Sequence, residues 1–356
     1  MDFTVRGRDG DSLVRVAALE PPTTAAWRGG AIIIADQEAL RLHGAALPDL
    51  PRVVVPRGEA AKTLESLESL YGAFLERGID RSSTVIAFGG GTVSDLAGFA
   101  ASTWLRGVAF EYLPTTLLAM VDASVGGKTG IDFRGRKNLI GSFCQPRRVL
   151  ADVAFLDTLS DTEFASGMAE VIKHAVIAGG EYAAFIGGLG GRRPRAAEPG
   201  GRDALERIVG GSVAIKAGIV SRDEREAGGR RILNLGHSIG HALELELDLP
   251  HGQAVSAGLA SAARLAEARG AMGGATLSAI LSLIAAWGLP ASLAEVLGRA
   301  GAARASVTRH RVAEALGADK KREGSTIRFA LPCELGRVEI LELPLAELAD
   351  FVLEAP

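Results

Sequence analysis

The chain has 356 residues, 47% of them apolar and 23% charged, with a formal net charge of −3. This composition suits a globular protein with room for two domains, and it excludes an overall basic field of the kind that draws nucleic acid to a protein surface. No apolar run reaches membrane-spanning length, the N-terminus lacks a signal-peptide core, and Cys144 and Cys333 match no metal or disulfide spacing. A cytoplasmic protein with no nucleic-acid or membrane partner is therefore expected.

Ala31–Ala35 is a short β-rich run that ends at Asp36, and Arg52–Pro56 is another, with a helix expected between them over Glu38–Ala46. Lys62–Glu76 carries Leu64, Leu67, Leu70, Tyr71, Phe74 and Leu75 at helical spacing. Ser83–Phe88 reads as a buried strand running into Gly89-Gly90-Gly91 and a helix over Val93–Thr103. Phe110–Pro114 is the next strand, followed by a short helix to Val121, a glycine-rich basic loop or hairpin over Gly126–Gly141, and a strand over Arg148–Asp152. Strands alternating with helices predict a parallel α/β sheet. Beyond Phe155 helical periodicity dominates, over Thr162–Ala178, Ala204–Val220, Ile232–Glu246, Gln253–Arg269, Leu277–Ala286 and Arg311–Leu316. Gly187–Arg202 reads as an exposed loop. Two short strands are expected at Thr326–Ala330 and Arg337–Ile340, and a closing helix at Leu345–Leu353. The division into domains is placed at residue 153.

Three of the six histidines fall within fifteen positions: His237, His241 and His251. His237 and His241 are four apart and share one face of a helix. His251 follows a turn marked by Pro250. Imidazoles together with a carboxylate suit a divalent metal, and Glu170, one turn from Lys173 on a helix, is the best carboxylate candidate. Spacing leaves open which two histidines bind and which acts as acid or base, and ordinary helix-face histidines remain the bland alternative. Gly89-Gly90-Gly91 ends a strand and opens a helix, where a pyrophosphate can approach the backbone and the helix N-terminus favours negative charge. The run is not the G-x-G-x-x-G fingerprint, so a tight strand–helix turn is the competing reading. Asp36 is suitably placed for a ribose hydroxyl. Arg106, Lys128, Lys137, Lys173, Lys216, Arg230, Lys320 and Lys321, with Asn138 and Asn234, would suit a substrate carrying a phosphate and a carboxylate, although each alone reads as a solvated charge.

Read together, Gly89–Asp95, Arg106-Gly107, Pro114–Asp122, Gly126–Asp132, Lys137–Gly141, Gly167–Lys173, Asp223–Glu226, Asn234–His241, His251-Gly252 and Asp319–Lys321 resemble the 3-dehydroquinate synthase family of the sugar-phosphate cyclase superfamily, in the family's order. The resemblance implies an α/β N-terminal Rossmann-like domain over residues 1–153, binding NAD, and a mainly α-helical C-terminal domain over 154–356, binding metal and substrate. It implies Glu170, His237 and His251 as ligands of a zinc or cobalt ion, with His241 left to work on the substrate. It places Asp122 and Lys173 around the substrate hydroxyls, and Lys128, Asn138, Asn234, Lys320 and the partner subunit's Arg106 in a phosphate pocket. Lys216 and Arg230 fall near the substrate carboxylate. For NAD it implies Asp36, Glu59, Lys62, Gly90, Gly91, Asp95, Thr115 and Thr116, with Lys128 and Lys137. A homodimer follows from the role of Arg106.

The chemistry the resemblance implies turns 3-deoxy-D-arabino-heptulosonate 7-phosphate into 3-dehydroquinate and phosphate. Transient oxidation by NAD acidifies a neighbouring proton, phosphate leaves by β-elimination, the hydride returns, and an intramolecular aldol step closes the ring. Two positions depart from the family pattern: Gln253 stands where a glutamate is usual, next to a proposed ligand, and Ser94 stands where glycine is common. An aminodehydroquinate synthase or another sugar-phosphate cyclase of secondary metabolism is the nearest alternative. A metal-dependent polyol dehydrogenase, which would need no ring of cations, is a further one, and a non-catalytic NAD-binding paralogue is the last.

Overall fold

The computed structural model describes residues 1–8, 10–19, 30–299, 311–312, 314–316, 322–323 and 325–354. They form two compact units whose sequences interleave. One contains Met1–Phe164 and Pro194–Arg225, the other Ala165–Arg193 and Glu226–Pro356. No described helix is long and apolar enough to cross a membrane.

The first unit is built on a seven-stranded sheet. Its strands are β1 (Asp2–Val5), β2 (Ser12–Val16), β3 (Ala31–Asp36), β4 (Arg52–Val55), β5 (Thr84–Gly89), β6 (Ala109–Pro114) and, after the hairpin β7 (Lys128–Phe133) and β8 (Arg136–Phe143), β9 (Arg148–Ala151). The order across the sheet is β1-β2-β9-β6-β5-β3-β4. All neighbours are parallel except β1 and β2. β5 is buried along its whole length and β3 nearly so, as strands covered on both faces by crossover helices should be. The chain passes from β3 to β4 on one side and then to β5 on the other. That reversal opens a crevice at the C-terminal ends of β3 and β5, the usual ligand position in such sheets. The helices α1 (Gln37–His43), α2 (Leu64–Glu76) and α3 (Gly91–Thr103) are the crossovers. Asp36 caps α1 by accepting from the amides of Glu38 and Ala39, both at 2.9 Å. Thr63 caps α2 through the amide of Ser66.

α4 (Asp161–Ala178) runs out of the first unit, and α6 (Gly201–Val220) belongs to it. The second unit contains α5 (Gly180–Gly188), α7 (His237–Leu247), α8 (His251–Ala268), α9 (Gly274–Ala286) and α10 (Leu293–Arg299). It also holds an antiparallel sheet, β10 (Arg322–Glu323), β11 (Thr326–Glu334) and β12 (Arg337–Pro344), and a final helix at Leu345–Glu354.

Most expected elements are present with ends shifted by a few residues. The glycine-rich stretch is indeed a hairpin. Three differences stand out. The short helix to Val121 is a π-helical turn over Ala119–Ala123. The helix expected over Ile232–Glu246 is broken: Gly229–Asn234 is a 3₁₀ segment, and Gly236 takes φ +80° before α7 begins at His237, a conformation costly for any side chain but accessible to glycine. The β1–β2 hairpin and the helices α5 and α10 are too short to carry a clear periodic signal. Of the helix expected over Arg311–Leu316, residues 311–312 and 314–316 are helical. Lys320 and Lys321 lie outside the described residues.

Close backbone approach sets the spacing of the second unit. A Cβ on Gly258 of α8 would stand 1.9 Å from the carbonyl oxygen of Gly236, and one on Gly252 would stand 2.2 Å from the carbonyl oxygen of Ser166 on α4. The Gly252 amide donates to the Ser166 hydroxyl at 3.0 Å. α8 is thereby held against both α7 and α4. Gly258→Ala is expected to force these backbones apart and cost about 1–3 kcal/mol, read as a lower Tm with the far-ultraviolet circular dichroism spectrum retained.

Candidate metal centre and nucleotide crevice

Three helices of the second unit each contribute one group to a single point. Glu170 comes from α4, His237 from the first position of α7, and His251 from the first position of α8. Their ligand atoms all lie within 4.8 Å of one another. His237 Nε2 is 3.5 Å and His251 Nε2 3.4 Å from the same oxygen of Glu170, Oε1. Glu170 is fully buried, and neither of its oxygens has a hydrogen-bond partner. The Lys173 ammonium, also buried, forms an ion pair with Oε2 one helical turn on. A buried carboxylate without hydrogen bonds is costly, and two imidazole nitrogens converging on it complete a donor set that a divalent cation satisfies. The residues present therefore fit a zinc-type ion.

The electrostatics treat the two histidines differently. Burial raises the Glu170 carboxyl, but the Lys173 ammonium and the two imidazoles outweigh it and hold the group well below the usual carboxylate range. Burial, reinforced by Lys173, pushes His237 well below the usual imidazole value, which leaves it neutral and able to ligate. For His251 burial acts downward, but contacts with Glu170 and Glu244 raise it to about 10. His241 is exposed, and its ring centroid stands 5.1 Å from that of His237 and 6.3 Å from that of His251. The His237–His241 spacing does place both rings at one end of α7, yet it is Glu170, not His241, that meets His237 and His251 at one point.

In the first unit, Gly89-Gly90-Gly91 lies between β5 and α3, at the reversal of strand order. Gly90 is the N-cap of α3, and no side chain caps the helix, so its first amides can serve an anion. A Cβ on Gly90 would meet Thr116 Cγ2 at 3.3 Å, and one on Gly89 would meet the Asp36 Cβ at 2.8 Å. The Thr115 amide donates to the Gly89 carbonyl at 2.9 Å. Asp36, Gly90, Gly91, Thr115 and Thr116 are thus brought together around a cradle that fits a pyrophosphate, with Oδ1 of Asp36 already used as the α1 cap. Beside them Lys62, 2% exposed, donates to Asp95 Oδ2 at 2.8 Å and to the Asn138 side-chain oxygen, with Glu59 Oε2 at 3.7 Å and Asp132 Oδ1 at 4.0 Å. Lys128 and Lys137 lie exposed on β7 and β8.

The other expected residues separate into smaller groups. Lys216 donates to the carbonyl and to the carboxylate of Asp122, each at 2.6 Å, within the first unit. Asn234 donates to Glu226, and Arg230 is buried, both in the second unit. Arg106 is exposed and has φ +67°, beside Leu105 at φ +51°. Glu244, Glu226 and Asp132 are contact residues that sequence reasoning left without a role. Glu244 stands seven after His237, two turns along the same face, and that spacing is the signal that could have found it.

A doubly wound nucleotide-type sheet together with a Glu–His–His donor set defines the class of NAD- and metal-dependent proteins to which comparison with known proteins also leads. Residues 52–166 match the 3-dehydroquinate synthase N-terminal family, and residues 167–322 the 3-dehydroquinate synthase C-terminal family. A 3-dehydroquinate synthase of Crocosphaera subtropica is 40% identical over 309 residues, covering 85% of this chain and 80% of that protein. The chain belongs to the 3-dehydroquinate synthase family. Among solved structures, 2-epi-5-epi-valiolone synthase from Streptomyces hygroscopicus subsp. jinggangensis, with NAD+ and Zn2+ bound, is 27% identical with a TM-score of 0.82, covering 96% of this chain and 95% of that one. A 2-deoxy-scyllo-inosose synthase complexed with carbaglucose-6-phosphate, NAD+ and Co2+ shares the fold, with 21% identity, a TM-score of 0.83 and full coverage of both chains.

Burial raises the Asp95 carboxyl from 3.8 to about 6, with Lys62 only partly offsetting it. A raised folded-state value means that the native protein holds this proton more tightly than the unfolded chain. The stability it contributes is present at low pH and lost as pH rises through 6. Asp95→Asn removes that titration, so the Tm difference, variant minus wild type, should be more positive at pH 8 than at pH 4. Equal differences at both pH values would contradict the assignment.

Proposed function

We propose that this chain converts 3-deoxy-D-arabino-heptulosonate 7-phosphate to 3-dehydroquinate and phosphate, the shikimate-pathway step on the route to aromatic amino acids. The observation that carries the reading is the buried Glu170 flanked by the Nε2 atoms of His237 and His251, in a chain of this family. Glu170, His237 and His251 hold the divalent cation, zinc or cobalt. Asp36, Glu59, Lys62, Gly90, Gly91, Asp95, Thr115 and Thr116, with Lys128 and Lys137, hold NAD. Residues 1–153 serve the nucleotide, and residues 154–356 the metal and substrate. When bound, NAD supplies a hydride acceptor that is regenerated in each cycle, and the metal supplies a Lewis acid for the substrate's oxygens.

The side chains supply binding, orientation and charge. Lys216 fixes the Asp122 carboxylate by a charge-assisted hydrogen bond, which presents one acceptor and one cation to a hydroxylated acid. Lys173, held by Glu170, keeps its ammonium in place without solvent, so that its charge acts at full strength on a neighbouring hydroxyl. Lys128, Asn138, Asn234 and Lys320, with the partner subunit's Arg106, receive the phosphate, and Arg230 with Lys216 receives the carboxylate. His241, exposed beside the metal ligands, handles a substrate proton or a phosphate oxygen. The protein works as a homodimer in which the partner subunit's Arg106 reaches across. The enzyme works in the cytoplasm. Lys216, Arg230 and Asn234 favour a substrate with a carboxylate over the carboxylate-free sugar phosphates.

Purified protein given the heptulosonate phosphate, NAD and zinc or cobalt should release one phosphate per turnover with no accumulation of NADH. Steady NADH formation without phosphate release would point to a polyol dehydrogenase instead. His237→Ala should lose bound metal and phosphate release together, each by at least about a hundredfold, as measured by metal analysis of the dialysed protein and a phosphate assay. Full activity after exhaustive chelation would contradict the metal role.

A further inference from the structure

The two histidines at the centre are held in the same way from behind. His237 points Nε2 at Glu170, and its Nδ1 lies 3.2 Å from the Leu235 carbonyl oxygen. His251 points Nε2 at Glu170, and its Nδ1 lies 3.3 Å from Glu244 Oε2. Glu244 is 8% exposed, seven residues before His251 and seven after His237. On α7 this is the i, i+7 relation, so His237 and Glu244 lie on one face, with His241 between them. The helix that supplies one ligand therefore also carries the group that meets the back of the other ligand, across the turn of Asp248, Leu249 and Pro250.

We propose that Glu244 is the positioning residue of the metal centre, accepting the Nδ1 proton of His251 so that Nε2 faces the metal as a neutral donor. The inference rests on the metal-binding reading of Glu170, His237 and His251. An imidazole has one proton to place when neutral, and an acceptor at Nδ1 decides where it sits. A carboxylate at that position also strengthens the donor, and losing such a partner costs about 10–100-fold in metal affinity. His237 receives only a carbonyl oxygen, so the anionic support is confined to the α8 ligand. His241, Glu244 and His251 also bring ligand atoms within 4.8 Å of one another. For that set to hold a second cation, His251 would need metal at both nitrogens, which removes its last proton. A role for Glu244 behind the ring keeps the proton and calls for one metal per chain.

The test uses full-length protein stripped of metal and titrated with Zn2+ against a chromophoric chelator, and separately with Co2+ followed by visible absorption. Wild type should bind one equivalent. Glu244→Ala should bind one equivalent about 10–100-fold more weakly, with a changed Co2+ spectrum. Glu244→Gln, whose amide oxygen still accepts the proton but carries no charge, should lose less and keep a spectrum near that of wild type. Wild-type affinity with an unchanged Co2+ spectrum in Glu244→Ala would overturn the inference. So would two equivalents in wild type falling to one in the variant, which would make Glu244 a ligand. If Glu244→Ala does not fold by circular dichroism, Glu244→Gln decides: a several-fold loss supports the inference, and undiminished affinity overturns it. His237→Ala separates the two readings. Loss of metal there with none in the Glu244 variants sinks this inference alone, whereas a wild type that binds no metal sinks both.

Discussion

A carboxylate with no exposure and no hydrogen bond cannot stay charged in a protein interior by itself. Glu170 is in that position, and much of the second unit is arranged around it. Lys173 supplies a cation from the same helix, and the two histidines arrive as the first residues of α7 and α8. Removing Lys173 would leave the anion facing only imidazoles. Removing the imidazoles would leave a two-member ion pair with nothing for a metal to complete. The centre therefore acts as a unit, in which the first residues of α7 and α8 meet the middle of α4 at this carboxylate.

The packing that achieves this depends on missing side chains. Gly252 and Gly258 sit where a Cβ would strike a backbone oxygen of α4 or of the Gly236 turn. Interhelical spacing in this unit is thus set by main chain against main chain, which yields little. Rigid spacing is what a ligand set drawn from three helices needs, since flexible packing would blur the donor positions.

Much of the architecture was legible from pattern. The buried runs Ala31–Asp36 and Thr84–Gly89 announced central parallel strands, and Gly89-Gly90-Gly91 announced the turn beside them. The short β1–β2 hairpin did not show, because four- and five-residue strands at a sheet edge carry little periodic signal. In the candidate metal centre, the cluster of histidines was visible, but helical spacing placed only His237 and His241 on one face and left open which two meet the carboxylate. That choice depends on how α8 returns after Pro250 and on the approach of α4, both tertiary facts. Family resemblance, not periodicity, singled out His251. Glu244 went unrecognised because a glutamate two turns along a helix face is common, and its contact with the Nδ1 of His251 is what gives that spacing a meaning. The cluster of Lys62 with Asp95, Asn138, Glu59 and Asp132 likewise depends on distant residues, Lys62 and Asn138 being 76 positions apart, beyond the reach of any local pattern.

The interleaving of the two units has a consequence for how the protein is made. The chain crosses between them three times, after residues 164, 193 and 225. A ribosome that has released the whole α/β sheet has not yet finished the first unit. The amide of Arg6 must wait for the Ser221 hydroxyl, that of Arg8 for Glu224, and Asp122 for Lys216. The earliest residues synthesised are thus sealed by some of the latest residues of their unit, and part of the second unit has already emerged by then. Neither unit can therefore be lifted out of the chain at a single cut.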